Sequence, residues 1–570
     1  MRHHRLPARL RAPVLVALLS ATLACGSLIT PLTPTPTLSP GSLFQLVTPT
    51  PPPTATATVA PPPLPTPLPT ATPLPTPTPE TPWLQGEVRA YPGPLHYEGD
   101  ILSLEVPIHN IDDLPNGRTP LVAIDDGEPF EAVAFPVYSP LRVSVLAFPD
   151  VWDTTGQQGL HKLTLFIPLT DEGESEELIT YIEVLPADQR PLQEQEARWE
   201  QRALPCCDLY YLSGTAAGRD IDQIAGVVAE NVAAVNAHPG LRNPQRIPIM
   251  LIDTIWGNGA YAGDALVISY VDRPYHGLDL GTVIRHEATH WATRSPSTGA
   301  PTLLVEGIAV YVAGGHYRPE PIPERAAALL ALDAYVPLTD LANDFRRYQH
   351  EAAYLEAGGL TAYLVERYGW SRYLAFYHTP GLRSSGAEWL DQAMRRHFQT
   401  GLEEIERDFI AWLEEQPSED QVDSVRLTIA LHETIRRYQA LYAPYQERLP
   451  GLDQALEENR TAEFIREPTA PENIALETLL ISAHQAHQEG RYTTCEALLE
   501  AINATLDDGD FTRPPISDYM AIVTLLAGQG YEVQRIEIAG QRATVAAIRE
   551  WPQVENLSLS WSDGGWRLDE

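Results

Sequence analysis

The stretch RHEATHWATRS, Arg285 to Ser295, holds two histidines four apart with a glutamate directly after the first. Helical residues four apart lie one above the other on one face, so His286 and His290 can point at one atom. Imidazole nitrogens are metal ligands, and Glu287 would lie beside that atom without binding it. This is the arrangement of a zinc hydrolase helix. Val283, Ile284, Ala288, Trp291 and Ala292 supply apolar cover on both flanks. A second segment, PTLLVEGIAVYVAGG, opens at Pro301 and stops at Gly314 and Gly315, which reads as an apolar helix. Glu306 stands inside it among Leu303, Leu304, Val305, Ile308 and Val310. A carboxylate there is costly unless it is paired or bound to a metal.

RHEATHWATRS, then PTLLVEGIAVYV, then YLEAGGLTAYLVERYGW together resemble the gluzincin-type zinc peptidases of the peptidase MA-like family, over about two hundred residues from Asp208 to Glu415. That family shows a HExxH helix, a Trp-Leu-x-Glu-Gly-x-Ala-x-Tyr helix and a tyrosine-rich helix ending in Tyr-Gly. Here the second motif runs from Leu303 to Tyr311, with Leu303 in place of the tryptophan. The resemblance implies a zinc ion, Zn(2+), on His286, His290 and Glu306, and Glu287 as general base. It also implies a peptide or protein substrate. Three protein ligands leave zinc a fourth position for water. Tyr354 matches the family's tyrosine position and would stabilise the oxyanion; the alternative is a packed core tyrosine. Gly358 and Gly359 would allow close helix packing beside it.

The remaining chain must position these groups. WGNGAYAGDALVISY, Trp256 to Tyr270, reads as a glycine-rich turn and a strand just before the zinc helix. Gly259, Ala260 and Tyr261 are the candidate substrate-binding edge, since extended peptides pair with such edges; the plain alternative is an ordinary hairpin. No partner for the histidines' other ring nitrogens is evident. Val310, one turn after Glu306, cannot serve; the partner would come from elsewhere, such as Asp253 or Asp264. His276, His316 and His350 are expected to be solvated or capping. His484 and His487, three apart on a polar helix, are a weak second metal candidate.

At 570 residues the chain is too long for one domain. Its 75 acidic and 39 basic residues give a formal charge of −36, which argues against nucleic acid as a partner. Arg2, Arg5, Arg9 and Arg11, then the apolar run Val14 to Ala24, read as a signal peptide over residues 1–25. That run resembles a bacterial lipobox ending at Cys25, with Thr22 where leucine is preferred. Lipidation of Cys25 would anchor the chain to the outer face of a membrane, an extracytoplasmic, cell-surface location; plain secretion is the alternative. Residues 26–82 are rich in proline and threonine and read as a disordered stalk.

Residues 83–187 hold short β-rich runs between turn signals, which predict an immunoglobulin-like β-sandwich for spacing or binding. Residues 187–204 read as a charged helical connector, residues 200–416 as an α+β zincin-like peptidase domain, and residues 417–570 as helices followed by antiparallel strands. Of the cysteines, Cys206 and Cys207 would bond to each other only with strain. One of them could pair with Cys495, or all could be small buried residues. The oligomeric state has no signature. The rival to a peptidase is a non-catalytic surface binding protein built on a degenerate peptidase scaffold.

Overall fold

The computed structural model describes residues 88–569, apart from 109–119, 132, 136–143, 169–174, 243–244, 295–298 and 381–384. All of these belong to one compact unit. The segments read as a signal peptide and a stalk, residues 1–82 with Cys25 among them, lie outside the described residues. Among those described, no helix is long and apolar enough to cross a membrane.

The first hundred described residues build two facing sheets. One has the strands Arg89–Tyr91, Ile101–Ile108, Ser144–Asp153 and Val133–Phe135, in that spatial order. The other runs His96–Tyr97, Ser175–Leu185, Gly159–Pro168, Leu121–Ile124 and Phe130–Glu131. Alternate residues of a strand face one side. Leu102, Leu104 and Val106 from the first sheet therefore meet Val122, Leu163, Leu165 and Leu178 from the second in one core.

A mixed five-stranded sheet follows. Cys207–Leu212, Ile247–Ile252 and Leu266–Ser269 run parallel, with Trp199–Ala203 and Ala260–Ala262 as antiparallel edges. The charged connector expected over 187–204 is helical only at Leu192–Glu196. Its second half is the edge strand, paired from Trp199↔Leu212 to Ala203↔Asp208. Glu200, Gln201 and Arg202 are exposed there, and charge on an edge strand is tolerated because it blocks further pairing. Helices from Leu280 to Glu414 pack against this sheet around one large core. The long helix Val422–Leu441, the antiparallel pair Pro471–Gln488 and Tyr492–Asp508, and the helix Ile516–Ala527 come next. A four-stranded antiparallel sheet, Glu532–Ala539 to Gly565–Leu568, completes the chain. The architecture is thus mixed α and β in several layers.

Buried arginines tie distant segments together. Arg466 bridges Asp100 of the first sheet pair and Glu194 at 2.8 and 2.6 Å. Arg273 reaches Glu467, Glu477 and Glu532 at 3.0, 2.7 and 2.6 Å. Removing one member of such a network leaves a buried charge without its partner. Cys206 and Cys207 are bonded to each other, and Cys495 is free and buried, so a bridge to Cys495 is not formed.

His276 and His316, expected to be solvated or capping, are buried, and His350 is partly buried. His484 and His487, the weak second metal candidate, are buried and belong to no metal-holding His/Cys/Asp/Glu group among the described residues. The reason is tertiary: the helix carrying His484 and His487 is covered by Val422–Leu441, and His487 Nε2 lies 2.9 Å from the Ser424 carbonyl oxygen. Burial depresses His276 from 6.5 to about 4. Burial, with His487 and Arg318 adding to it, takes His484 to about 3. Burial and Arg318 bring His487 to about 4. A histidine depressed in the fold binds its proton more readily when unfolded, so it removes stability as pH falls below 6.5. Between about pH 6.5 and 4.5 each of the three should therefore cost about 1.4 kcal/mol per pH unit. Buried carboxylates such as Glu105 and Asp253, raised to about 8 by burial, add stability as pH falls. The pH slope of the urea midpoint is the net of the two. His487→Gln should remove one histidine's cost from that slope; an unchanged slope would contradict the assignment.

Candidate metal centre

The helix Leu280–Thr293 starts where Asp279 caps it, accepting from the Thr282 amide at 2.8 Å and the Thr282 hydroxyl at 2.7 Å. Val283, Ile284 and Ala288 bury one face in the main core. Arg285 pins the helix, donating to Asn231 Oδ1 at 2.6 Å and to the Ala313 carbonyl at 2.9 Å. Ala313 is the last residue of the helix Thr302–Ala313, which carries Glu306 and stops at Gly314, φ 78°.

Glycine sets how closely that helix lies on the next. A Cβ on Gly307 would stand 2.5 Å from the Ala357 carbonyl oxygen, and one on Gly358 would stand 2.5 Å from Val310 Cγ1. Both close approaches join Thr302–Ala313 to the helix His350–Tyr368, which brings Tyr354.

Three ligand atoms converge. His286 Nε2 lies 3.1 Å from His290 Nε2, and Glu306 Oε2 lies 3.3 Å from the first and 3.2 Å from the second. Donors bound to one tetrahedral ion at about 2.0–2.1 Å stand about 3.3 Å apart, so this triangle fits such an ion. It is the one His/Cys/Asp/Glu group of that kind among the described residues. Burial would lower the His290 pKa, but the Glu306 charge and hydrogen bond outweigh it and bring it up to about 9. Burial would raise Glu306, yet the two histidines hold it well below the usual carboxylate range. A metal must displace the His290 proton, so affinity should fall as pH drops.

Glu287 is 6% exposed and its Oε2 has no hydrogen-bond partner among the described residues. Burial, opposed by the two histidines and supported by Glu306, raises its pKa. The His286 and His290 Nδ1 atoms are also buried without a partner among the described residues. Neither Asp253 nor Asp264 fills that role. The Asp253 amide bonds the Phe464 carbonyl and its carboxyl faces Gln193, while Asp264 accepts from the Ala265 amide.

The triad sits in a cleft of about 1210 Å³. Tyr354 lines it, its ring 6.1 Å from that of His286 and stacked on His316 at 4.1 Å. Burial, then Glu306, raises its pKa well above 10, so the phenol stays a donor. Ala260 and Tyr261 line the cleft from the edge strand, which has no outer strand neighbour among the described residues. Gly259 does not face the cleft. Its amide donates to the Trp256 carbonyl and its carbonyl accepts from the Ser269 amide, both at 2.7 Å. Its φ of 99° and the 2.6 Å approach of His276 to a Cβ mark it as a turn residue.

Sequence reasoning missed His350, His316 and the cleft arginines. His350 Nε2 meets Asn258 Nδ2 at 2.6 Å, and His316 Nδ1 meets Glu351 Oε2 at 2.7 Å. His350 was detectable, since it stands four before Tyr354 on one helix face. Nothing local marks His316.

Protein purified without added metal should carry one zinc per chain, lost in His286→Ala and in Glu306→Ala, as elemental analysis would show. Gly307→Ala should cost about 1–3 kcal/mol of stability and weaken zinc retention. Unaltered unfolding and zinc content would contradict the helix contact.

No protein-family description matches the chain, and no curated protein matches it. Among solved structures, it is similar to a mutant M1 zinc metallopeptidase from Deinococcus radiodurans bound to a Tyr-Ser-Ala substrate. The identity is 12%, over 57% of this chain and 92% of that one, with a TM-score of 0.24. It is also similar to an aminopeptidase N family protein from Idiomarina loihiensis, 9% identical over 60% of this chain and 75% of that one, with a TM-score of 0.22.

Proposed function

We propose that the chain is a zinc-dependent peptidase with His286, His290 and Glu306 as its metal ligands. The observation that carries this reading is the 3.1–3.3 Å triangle of ligand atoms beside an unpartnered buried carboxylate in an open cleft. A zinc ion there supplies a Lewis acid for a carbonyl oxygen and acidifies a water molecule. Glu287 takes the proton of the attacking water and returns it to the leaving amine. Burial, which favours its protonated form, suits it to both steps. The Tyr354 hydroxyl donates to the developing oxyanion. The Ala260–Ala262 edge pairs with the extended substrate main chain.

In the same proposal, the two-sheet region is an immunoglobulin-like spacer or binding module. Cys25 is lipidated, so the enzyme works outside the cytoplasm on a membrane-tethered stalk.

Glu287→Gln should keep its zinc and its unfolding midpoint while losing about 10²–10⁴-fold in peptide cleavage. Tyr354→Phe should lose about 10²-fold in kcat with little change in KM. Equal cleavage by Glu287→Gln and wild type in a peptide-library digest would overturn the reading and favour a binding scaffold.

A further inference from the structure

The cleft's charge runs against that of the chain. The whole protein carries 75 acidic and 39 basic residues, yet Arg89, Arg294, Arg346, Arg436 and Arg437 all line the cleft. The carboxylates lining it are Glu287 and Glu306 of the site, together with Glu433 and Glu447. Arg437 is committed to Asp507 and Asn503. Arg346 and Arg436 are different. Arg346 is exposed and makes no hydrogen bond or ion pair among the described residues. Arg436 uses Nη1 for the Gly257 carbonyl and Gln439 Oε1, both at 2.8 Å, and has no carboxylate partner among the described residues. Glu433, one turn before it, is not in ion-pair contact with it.

The two arginines come from separate parts of the chain but act on the same wall. Arg436 bonds the Gly257 carbonyl, the next residue, Asn258, meets His350 Nε2 at 2.6 Å, and the His350 ring lies 4.3 Å from that of Tyr354. Arg346 stands four residues before His350 and lines the same cleft. They therefore stand on the Tyr354 side of the triad. In a protein with a twofold excess of acids, two guanidinium groups in the cleft without acid partners are set to receive an anion from outside. A planar guanidinium matches a carboxylate in two parallel hydrogen bonds.

We infer that Arg346 and Arg436 form a carboxylate-binding subsite, so that the cleft selects peptides presenting a carboxylate beside the bond to be cut. This rests on the peptidase reading only for the phrase about cleavage; the anion preference is a property of the cleft itself. The carboxylate can be the peptide's own C-terminus or an aspartate or glutamate side chain.

The test is fluorescence anisotropy on the full chain carrying Glu287→Gln, loaded with zinc. The probes are one labelled peptide with glutamate or glutamine at each position in turn, and with a free or amidated C-terminus. At least one carboxylate should tighten binding about tenfold over its amide, with an advantage that shrinks as salt is raised. If amidation abolishes the advantage, the C-terminus is the ligand; if a single Glu-to-Gln change does, the side chain is. Arg346→Gln should remove most of the preference, and Arg347→Gln, outside the cleft, should keep it. Arg436→Gln is the second variant, since it also loses the Gly257 bond and needs a folding control; Arg346 carries no such bond. Equal affinity for acids and amides, or a preference untouched in Arg346→Gln, would overturn the inference. Preferential binding of acids with no cleavage by wild type would instead sink the peptidase reading and leave the subsite standing. Cleavage without any acid preference would do the reverse.

Discussion

Two imidazole nitrogens and a carboxylate oxygen cannot sit 3.1–3.3 Å apart in a buried site with neither protons nor a metal ion between them. Lone pairs would face lone pairs where water cannot separate them. A proton held by His290 meets the requirement in one state, and a metal ion meets it in the other. Much of the surrounding structure serves to hold that triangle. Asp279 starts the first helix, Arg285 locks it to the end of the second, and Gly307 lets the second lie against the third. Glu287 and Tyr354 then face the same cleft because they ride on helices already fixed by those contacts.

The triad was legible in the sequence because its signals are local. A spacing of four on one helix places His286 over His290, and a lone carboxylate among Leu303, Leu304 and Ile308 needs a partner. Helix limits were equally local: Gly314 takes a left-handed conformation where the apolar run ends. The segment from Trp199 to Ala203 misled because its charge pattern fits an exposed helix and an exposed edge strand equally well. Only the register against Cys207–Leu212 decides between them. Gly259 misled for a related reason, since a glycine in a turn resembles one left open for a substrate until its bonding is seen.

The cleft as a whole was not legible. Its walls come from the first sheet pair, through Arg89 and Pro107, from the helices around the triad, and from the helix Val422–Leu441 through His432 and Arg436. What brings these together is long-range: Arg466 binds Asp100 across more than three hundred residues, and Arg273 gathers Glu467, Glu477 and Glu532. No periodicity announces such pairs. The buried histidines have the same origin. His484 and His487, a weak metal candidate on a helix that reads as polar, are covered by Val422–Leu441, and burial then holds them neutral.

The central claim is that His286, His290 and Glu306 share one zinc ion. X-ray absorption at the zinc edge, on full-length protein carrying one zinc per chain, tests it most directly. The account predicts two imidazole nitrogens and oxygen ligands at about 2.0–2.1 Å with no sulfur, and loss of one imidazole in His290→Ala. Sulfur scattering at about 2.3 Å, or an all-oxygen shell unchanged in His290→Ala, would place the metal elsewhere and contradict the account.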